Sequence, residues 1–273
     1  MKAMNAITIL LIVASFAAGA YFYPSMPNFM ASHWNGEGKA DGYMEKEIAL
    51  FLLPAATLAI AGFLYLVPKI DPLRENIEKF RRQYDGFIFL FVLFLTYVYF
   101  LQIAWSLGIS FDMNRMMVPG LGVLFIYIGM LCGDCRQNWF VGVRTPWTMS
   151  SERVWKKTHS LAEKLFLGIG ALWIVVGLVF PGFSPFMIAA AILAAISLFA
   201  YSYFEFQNEK KEKENAMERI GEARVEPDYP LPAKKKPVPL KKKPSVGPKK
   251  PRKPKKPEAK AREKKGRTAW KTK

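Results

Sequence analysis

The sequence predicts an all-α fold: a polytopic membrane helical bundle of about six transmembrane helices, followed by a disordered basic C-terminal tail. Three observations predict it. Six runs of roughly 17 to 22 apolar residues lie at about 6–23, 48–67, 86–107, 116–132, 165–181 and 184–204, each the length a helix needs to cross about 30 Å of hydrocarbon. Of the two forms whose backbone amides are satisfied in lipid, helix and closed barrel, runs this long fit only the helix. Charge then divides the chain by region: of 39 Lys and Arg, 19 fall in residues 234–273 beside two acids, Glu258 and Glu263, and the remainder holds 20 charges of each sign. The net charge of +17 therefore belongs to the tail, and the membrane part is neutral.

The first run opens on Lys2 and contains Ala18-Gly19-Ala20, which resembles the small-residue cleavage pattern of a signal peptide. It is long for such a segment and continues through Tyr21, Phe22 and Tyr23, an interfacial aromatic belt, so it reads as the first span. The loop after it, "YPSMPNFMASHWNGEGKADGYMEKE", is turn-rich, with Gly36, Gly38 and Gly42 set among Asn35, Lys39 and Asp41. His33, Glu37 and Asp41 can hold a cation or a peptide group. Against that, Trp34 and Tyr43 serve equally as interface aromatics, and Asn35 and Asp41 as turn formers. The glycine spacing does not match the dinucleotide-binding pattern.

Orientation follows from the excess of Lys and Arg in short cytoplasmic loops. Residues 69–85 hold Lys69, Arg74, Lys79, Arg81 and Arg82, and residues 134–164 hold Arg136, Arg144, Arg153, Lys156, Lys157 and Lys164. The segments between are poorer, with Lys39 and Lys46 in one, Arg115 in the next and no basic residue in "PGFSP". The expectation is a multi-pass cell-membrane protein with both termini cytoplasmic. It divides into an N-terminal two-helix segment with an outward HWN loop (1–68), a central two-helix segment (69–133), a motif with a further two helices (134–206) and a charged, Lys/Pro-rich cytoplasmic tail (207–273). Within the tail, residues 207–226 have mixed charges suited to extending the last helix, and Pro227 onward has too few apolar residues for a core.

Some function classes are disfavoured. The spans carry almost no charge: Asp85, Glu163 and Glu205 sit at predicted ends, and Gln102 and Asn114 are the main polar residues nearby. Proton relays and ion pathways use ionisable groups within the membrane, so a small-solute transporter is the weaker alternative. Cys132 and Cys135 are a lone pair of thiols; only Asp134 and His159 could help them towards the four ligands of zinc, so neither a metal nor another cofactor is expected. No nucleophile stands with a base, and the chain is read as a non-enzyme.

The segment "NWFVGVRTPWTMSSERVWKKTH", Asn138 to His159, is the densest in chemistry. Thr145-Pro146 breaks the backbone, and Ser150 or Ser151 can cap a helix with Glu152 in its first turn. That helix would carry Val154, Trp155, Thr158 and Leu161 on one face and lie at the headgroup level before turning into the fifth span. Interface anchoring accounts for the tryptophans and lysines. It does not account for Arg144, for which any basic residue would serve.

This segment resembles the SdpI family of integral membrane proteins, through Asn138, Gly142, Arg144, Thr145, Pro146, Trp147, Thr148, Trp155, Thr158 and His159. The first loop, "MPNFMASHWNGEGKADGY", resembles the domain of unknown function that often precedes the SdpI segment, through Pro27, His33, Trp34, Asn35, Gly38 and Asp41. Family members tend to have glycine shortly after Thr-His, where this chain has Leu161, Ala162 and Glu163, and the Lys-Pro tail has no family counterpart. The resemblance implies immunity to an exported killing peptide, combined with a signalling role in which a cytoplasmic repressor-like protein is held at the membrane. It implies further that the outward loop meets an extracellular peptide toxin and that the inner-face motif meets a protein.

The tail suggests partners of its own. A Lys/Arg chain neutralises phosphates without reading sequence, so it suits nonspecific nucleic acid or the anionic lipid of the inner leaflet. Apart from Trp270 it lacks aromatics for base stacking.

Overall fold

The computed structural model describes residues 2–225; the disorder expected from Pro227 onward lies outside the described residues. Among the described residues, six helices are long and apolar enough to cross a membrane. They are α1 (Lys2–Phe22), α2 (Lys46–Ile70), α4 (Arg81–Ser106), α5 (Met113–Asp134), α7 (Glu152–Val179) and α8 (Ser184–Val225), with two short helices, α3 (Arg74–Glu78) and α6 (Pro146–Ser150), in the connections. Leu10, Val13, Leu52, Phe63, Val175, Leu193 and Phe204 point outward and are more than half exposed. A soluble protein would not leave so much apolar surface uncovered, whereas lipid tails accept it.

The loop between α1 and α2 is not a string of turns but a hairpin of β1 (Phe29–Trp34) and β2 (Ala40–Glu45), antiparallel, pairing Phe29 with Glu45 and Trp34 with Ala40. Its turn is built by Asn35, whose Oδ1 accepts the backbone N–H of Glu37 (2.9 Å) and Lys39 (3.1 Å). Gly38 completes it at φ +77°, a conformation that L side chains rarely adopt. The two strands make a sheet too small to stand alone, and the hairpin is fastened to the helices by the polar residues near the spans. Gln102 Nε2 donates to the Ala31 carbonyl at 3.0 Å, and Asn114 Nδ2 donates to the Gly36 carbonyl at 2.8 Å.

Helices α5 and α7 pack backbone to backbone. A Cβ placed on Gly122 would lie 2.6 Å from the carbonyl oxygen of Gly170, and one on Gly170 would lie 2.5 Å from that of Gly122. Small residues allow this approach in a membrane, where packing rather than the hydrophobic effect drives helices together.

Two further features differ from expectation. Helix α7 runs unbroken from Glu152 to Val179, with no interfacial helix that turns into a span. No Pro or Gly lies between Ser151 and Gly168, so nothing interrupts propagation once Ser151 caps the helix by accepting the N–H of Val154 at 3.2 Å. Helix α8 continues to Val225, and its polar part lies against the start of α7: Ser151 Oγ donates to Glu209 at 2.5 Å, Lys157 pairs with Glu205 at 2.7 Å, and Arg153 pairs with Glu212.

Candidate functional site

The motif between α5 and α7 is a closed turn whose polar side chains satisfy one another. Asn138 is fully buried, and its side chain does four things at once. Its Oδ1 accepts the N–H of Phe140 (2.9 Å) and Val141 (2.6 Å), and its Nδ2 donates to the carbonyls of Arg136 (2.8 Å) and Val141 (3.0 Å). An isolated loop in a buried place would leave those backbone groups without partners; one asparagine supplies them. Thr145 then starts α6 with a capping box. Its hydroxyl accepts from Thr148 N at 3.2 Å, and the Thr148 hydroxyl accepts from Thr145 N at 2.9 Å. Thr145 also donates to Ser202 at 3.0 Å, and Trp147 packs edge-on against Phe199 and Tyr203, so both fasten the turn to α8.

His159 is 2 % exposed and stacks on Trp155 with ring centroids 4.0 Å apart. The backbone N–H of Val143 donates to its Nε2 at 2.9 Å, which makes that nitrogen the acceptor and puts the ring proton on Nδ1, facing the Trp155 carbonyl at 2.8 Å. Both nitrogens are spent, and His159 is a structural neutral imidazole rather than a base waiting for a substrate. Gly142 permits this arrangement: it has φ +104°, and a Cβ there would meet His159 Nε2 at 2.3 Å. Trp155 donates its indole N–H to the Cys135 carbonyl at 3.1 Å. Thr158 is fully buried, yet its hydroxyl has no partner among the described residues.

Arg144 differs from its neighbours. It is exposed, and its guanidinium donates to the Trp139 carbonyl at 2.6 Å, which holds it on the outside of the turn.

Residues that sequence reasoning passed over complete the motif. Asp71 is 2 % exposed, and its carboxylate accepts the N–H of Leu73 (2.6 Å) and Trp139 (2.9 Å), tying the end of α2 to the motif. Gln137 donates to the last carbonyls of α6, Thr148 (2.8 Å) and Met149 (2.7 Å), and Asn76 donates to the Gln137 carbonyl at 2.8 Å. The available signal was Asp71-Pro72 directly after an apolar run: an acid before a proline marks a turn, not a charge in search of solvent.

At the hairpin, His33 Nδ1 lies 2.5 Å from Asp41 Oδ1, while Glu37 pairs instead with Lys39 at 3.0 Å. The three residues considered for a cation therefore do not converge. Among the described residues, no group of three or more His, Cys, Asp or Glu is placed to hold a metal ion. Trp34 is half-buried, with its ring edge-on to Trp105 at 6.1 Å. Cys135 donates its S–H to the Cys132 carbonyl at 3.3 Å, and burial raises its pKa, so it is not a thiolate nucleophile at neutral pH. The two groups of candidate residues lie at opposite ends of α5, whose 22 residues extend about 33 Å.

Six apolar helices, a two-stranded hairpin at one end and a self-satisfied polar turn at the other define a multi-pass membrane protein. The comparisons narrow the class. Residues 134–202 match the SdpI/YfhL protein family, and residues 10–58 match a domain of unknown function, DUF1648. It is 26 % identical over 208 residues to the immunity protein SdpI of Bacillus subtilis (strain 168), in an alignment covering 75 % of this chain and 97 % of that protein. No solved structure matches. The closed turn lies inside the SdpI match and the hairpin inside the DUF1648 match.

Proposed function

We propose that this protein senses or resists an extracellular membrane-active peptide and relays that state to a cytoplasmic partner, acting by binding rather than catalysis. The distribution of Lys and Arg supports an outward hairpin, with the motif and both termini inward. The observation that carries the reading is the contrast within the motif. Asn138, Gly142, Thr145, Thr148 and His159 are consumed in building the turn, and Arg144 is what the turn displays. A turn made rigid by so many internal bonds, with the planar, multiply donating cation of Arg144 on its surface and exposed Arg136 in the same connection, suits recognition of a carboxylate on a protein partner. The similarity to an immunity protein supports the same class.

The test is protection. Cells producing the wild type or Arg144→Ala at equal membrane levels are challenged with a graded set of membrane-active peptides. The expected result is that Arg144→Ala inserts normally and loses protection, while Arg144→Lys retains only part of it. Equal protection by wild type and Arg144→Ala would sink the reading.

The concentration of 19 basic residues in 234–273 favours a second reading, in which a membrane-tethered chain binds nonspecific nucleic acid or anionic lipid. Truncation after Val225 leaves the bonds between α7 and α8 intact and should abolish salt-sensitive retention of nucleic acid on isolated membranes. No retention by the full chain at low salt rules that partner out.

A further inference from the structure

A cleft of about 630 Å³ lies between the end of α5 and the first turns of α7. Its wall carries charges of both signs: Asp134, Arg136, Glu152, Arg153, Lys156 and Lys157. Two of the cations are spent on α8, Arg153 on Glu212 and Lys157 on Glu205. The other four charges are exposed, and among the described residues none of them is in an ion pair, although Glu152 and Lys156 stand one helical turn apart. Asp134 accepts only the side-chain amide of Gln83, at 3.1 Å. On an open surface such charges are hydrated and contribute little, whereas in a concavity walled by protein their fields are focused on whatever enters.

A second cleft, of about 340 Å³, shares Cys132 with the first. Its wall is mostly apolar, with Leu64 of α2, Phe87 of α4, Ile128 of α5, Val141 of the turn and Phe166 of α7, and the one hydroxyl there, that of Tyr84, is already given to the Leu64 carbonyl at 2.7 Å. Phe87 and Ile128 stand six residues, about 9 Å, inside the ends of α4 and α5 at Arg81 and Asp134. Charge at the helix ends and an apolar recess deeper in the span match an amphiphile standing in a membrane, headgroup at the interface and chain inward. Both volumes fall within the roughly 300–1,000 Å³ typical of ligand sites.

We propose that the two clefts together hold one aminophospholipid, its phosphate received by Arg136 and Lys156, its primary ammonium by Asp134 and Glu152, and part of an acyl chain by the recess behind Cys132. A phosphate diester joined to an ammonium presents both signs within one small group, as the four charges require. A purely anionic headgroup would leave the two carboxylates facing a like charge, and a quaternary ammonium has no N–H for them to accept. The site is separate from the Arg144 reading, and neither needs the other.

The test titrates the full chain, in neutral detergent, with phosphatidylethanolamine, phosphatidylcholine or phosphatidylglycerol and follows bound lipid by native mass spectrometry. The wild type should bind phosphatidylethanolamine about tenfold more tightly than phosphatidylcholine, and Lys156→Gln and Glu152→Gln should each lower the affinity for phosphatidylethanolamine about fivefold. Glu152→Gln should leave phosphatidylcholine binding unchanged. For phosphatidylglycerol the two variants should act in opposite directions, weaker for Lys156→Gln and tighter for Glu152→Gln. Equal binding of phosphatidylethanolamine and phosphatidylcholine by the wild type, or a Glu152→Gln protein that binds phosphatidylethanolamine as the wild type does, would overturn the proposal. So would displacement of phosphatidylethanolamine by an equal concentration of glycerophosphoethanolamine, which would make the ligand a free zwitterion rather than a lipid. Both substituted side chains are exposed, so an unchanged thermal midpoint is expected in each variant. Failure here leaves the Arg144 protection test untouched.

Discussion

The two ends of the bundle solve the problem of burying polar groups in opposite ways. At the motif, Asn138, Thr145, Thr148 and His159 face backbone groups and one another until nearly every donor has an acceptor. At the hairpin end, Trp34 and Trp173 are held by aromatic neighbours, and their buried indole N–H groups have no acceptor among the described residues. A region that satisfies itself is suited to holding a shape, whereas buried donors without acceptors carry a cost that the surrounding packing must offset. The SdpI match covers the first and the DUF1648 match supplies the hairpin of the second, so the two family segments differ in physical character as well as in sequence.

Substitutions can break this contrast. The largest effect is expected for Gly142→Ala, which forces a side chain into φ +104° and against His159 Nε2; denaturant titration in micelles should show a loss of about 3 kcal/mol. The matching change at the hairpin, Gly38→Ala, puts a Cβ 2.6 Å from Asp112 Oδ1, which can move aside only by giving up the Arg115 N–H it accepts at the start of α5, and should cost about 1–2 kcal/mol. A Gly38 variant less stable than the Gly142 variant would reverse the assignment of which end is rigid. His159→Leu orphans the Val143 N–H, while the Trp155 carbonyl keeps its partner in the α7 ladder, and should cost about 2 kcal/mol by the same titration. Thr158→Val sharpens the comparison from the other side. Its buried hydroxyl has no partner, so replacing it should move stability by no more than about 0.5 kcal/mol. If Thr158→Val is stable yet loses protection, that hydroxyl serves a partner.

Much of this was legible in the sequence. The spans were, because membrane thickness fixes helix length, and so were the break at Thr145-Pro146 and the cap at Ser151, because caps are local. The hairpin was not: glycines and turn formers around Asn35 obscure two short strands whose pairing is irregular between Ala31 and Trp34. The importance of Gln102, Asn114 and Asp71 was hidden for a different reason. Their partners lie 71, 78 and 68 residues away, and no periodicity encodes a contact at such a distance. The resemblance named residues of the motif without saying which face inward; Asn138, Thr145, Thr148, Trp155, Thr158 and His159 are buried, and Arg144 is exposed.

The glycine contact between α5 and α7 sets the tolerance of the whole membrane part at one carbon atom. Mutational drift can exchange leucine for isoleucine or phenylalanine at lipid-facing positions such as Leu172, Val175 and Leu178 with little consequence, since each faces solvent hydrocarbon. A single methyl group added at Gly122 or Gly170 meets a backbone oxygen that has no side chain to rotate away. Among homologous chains, the seam between these two helices should therefore admit less variety than the catalogue of apolar residues around it.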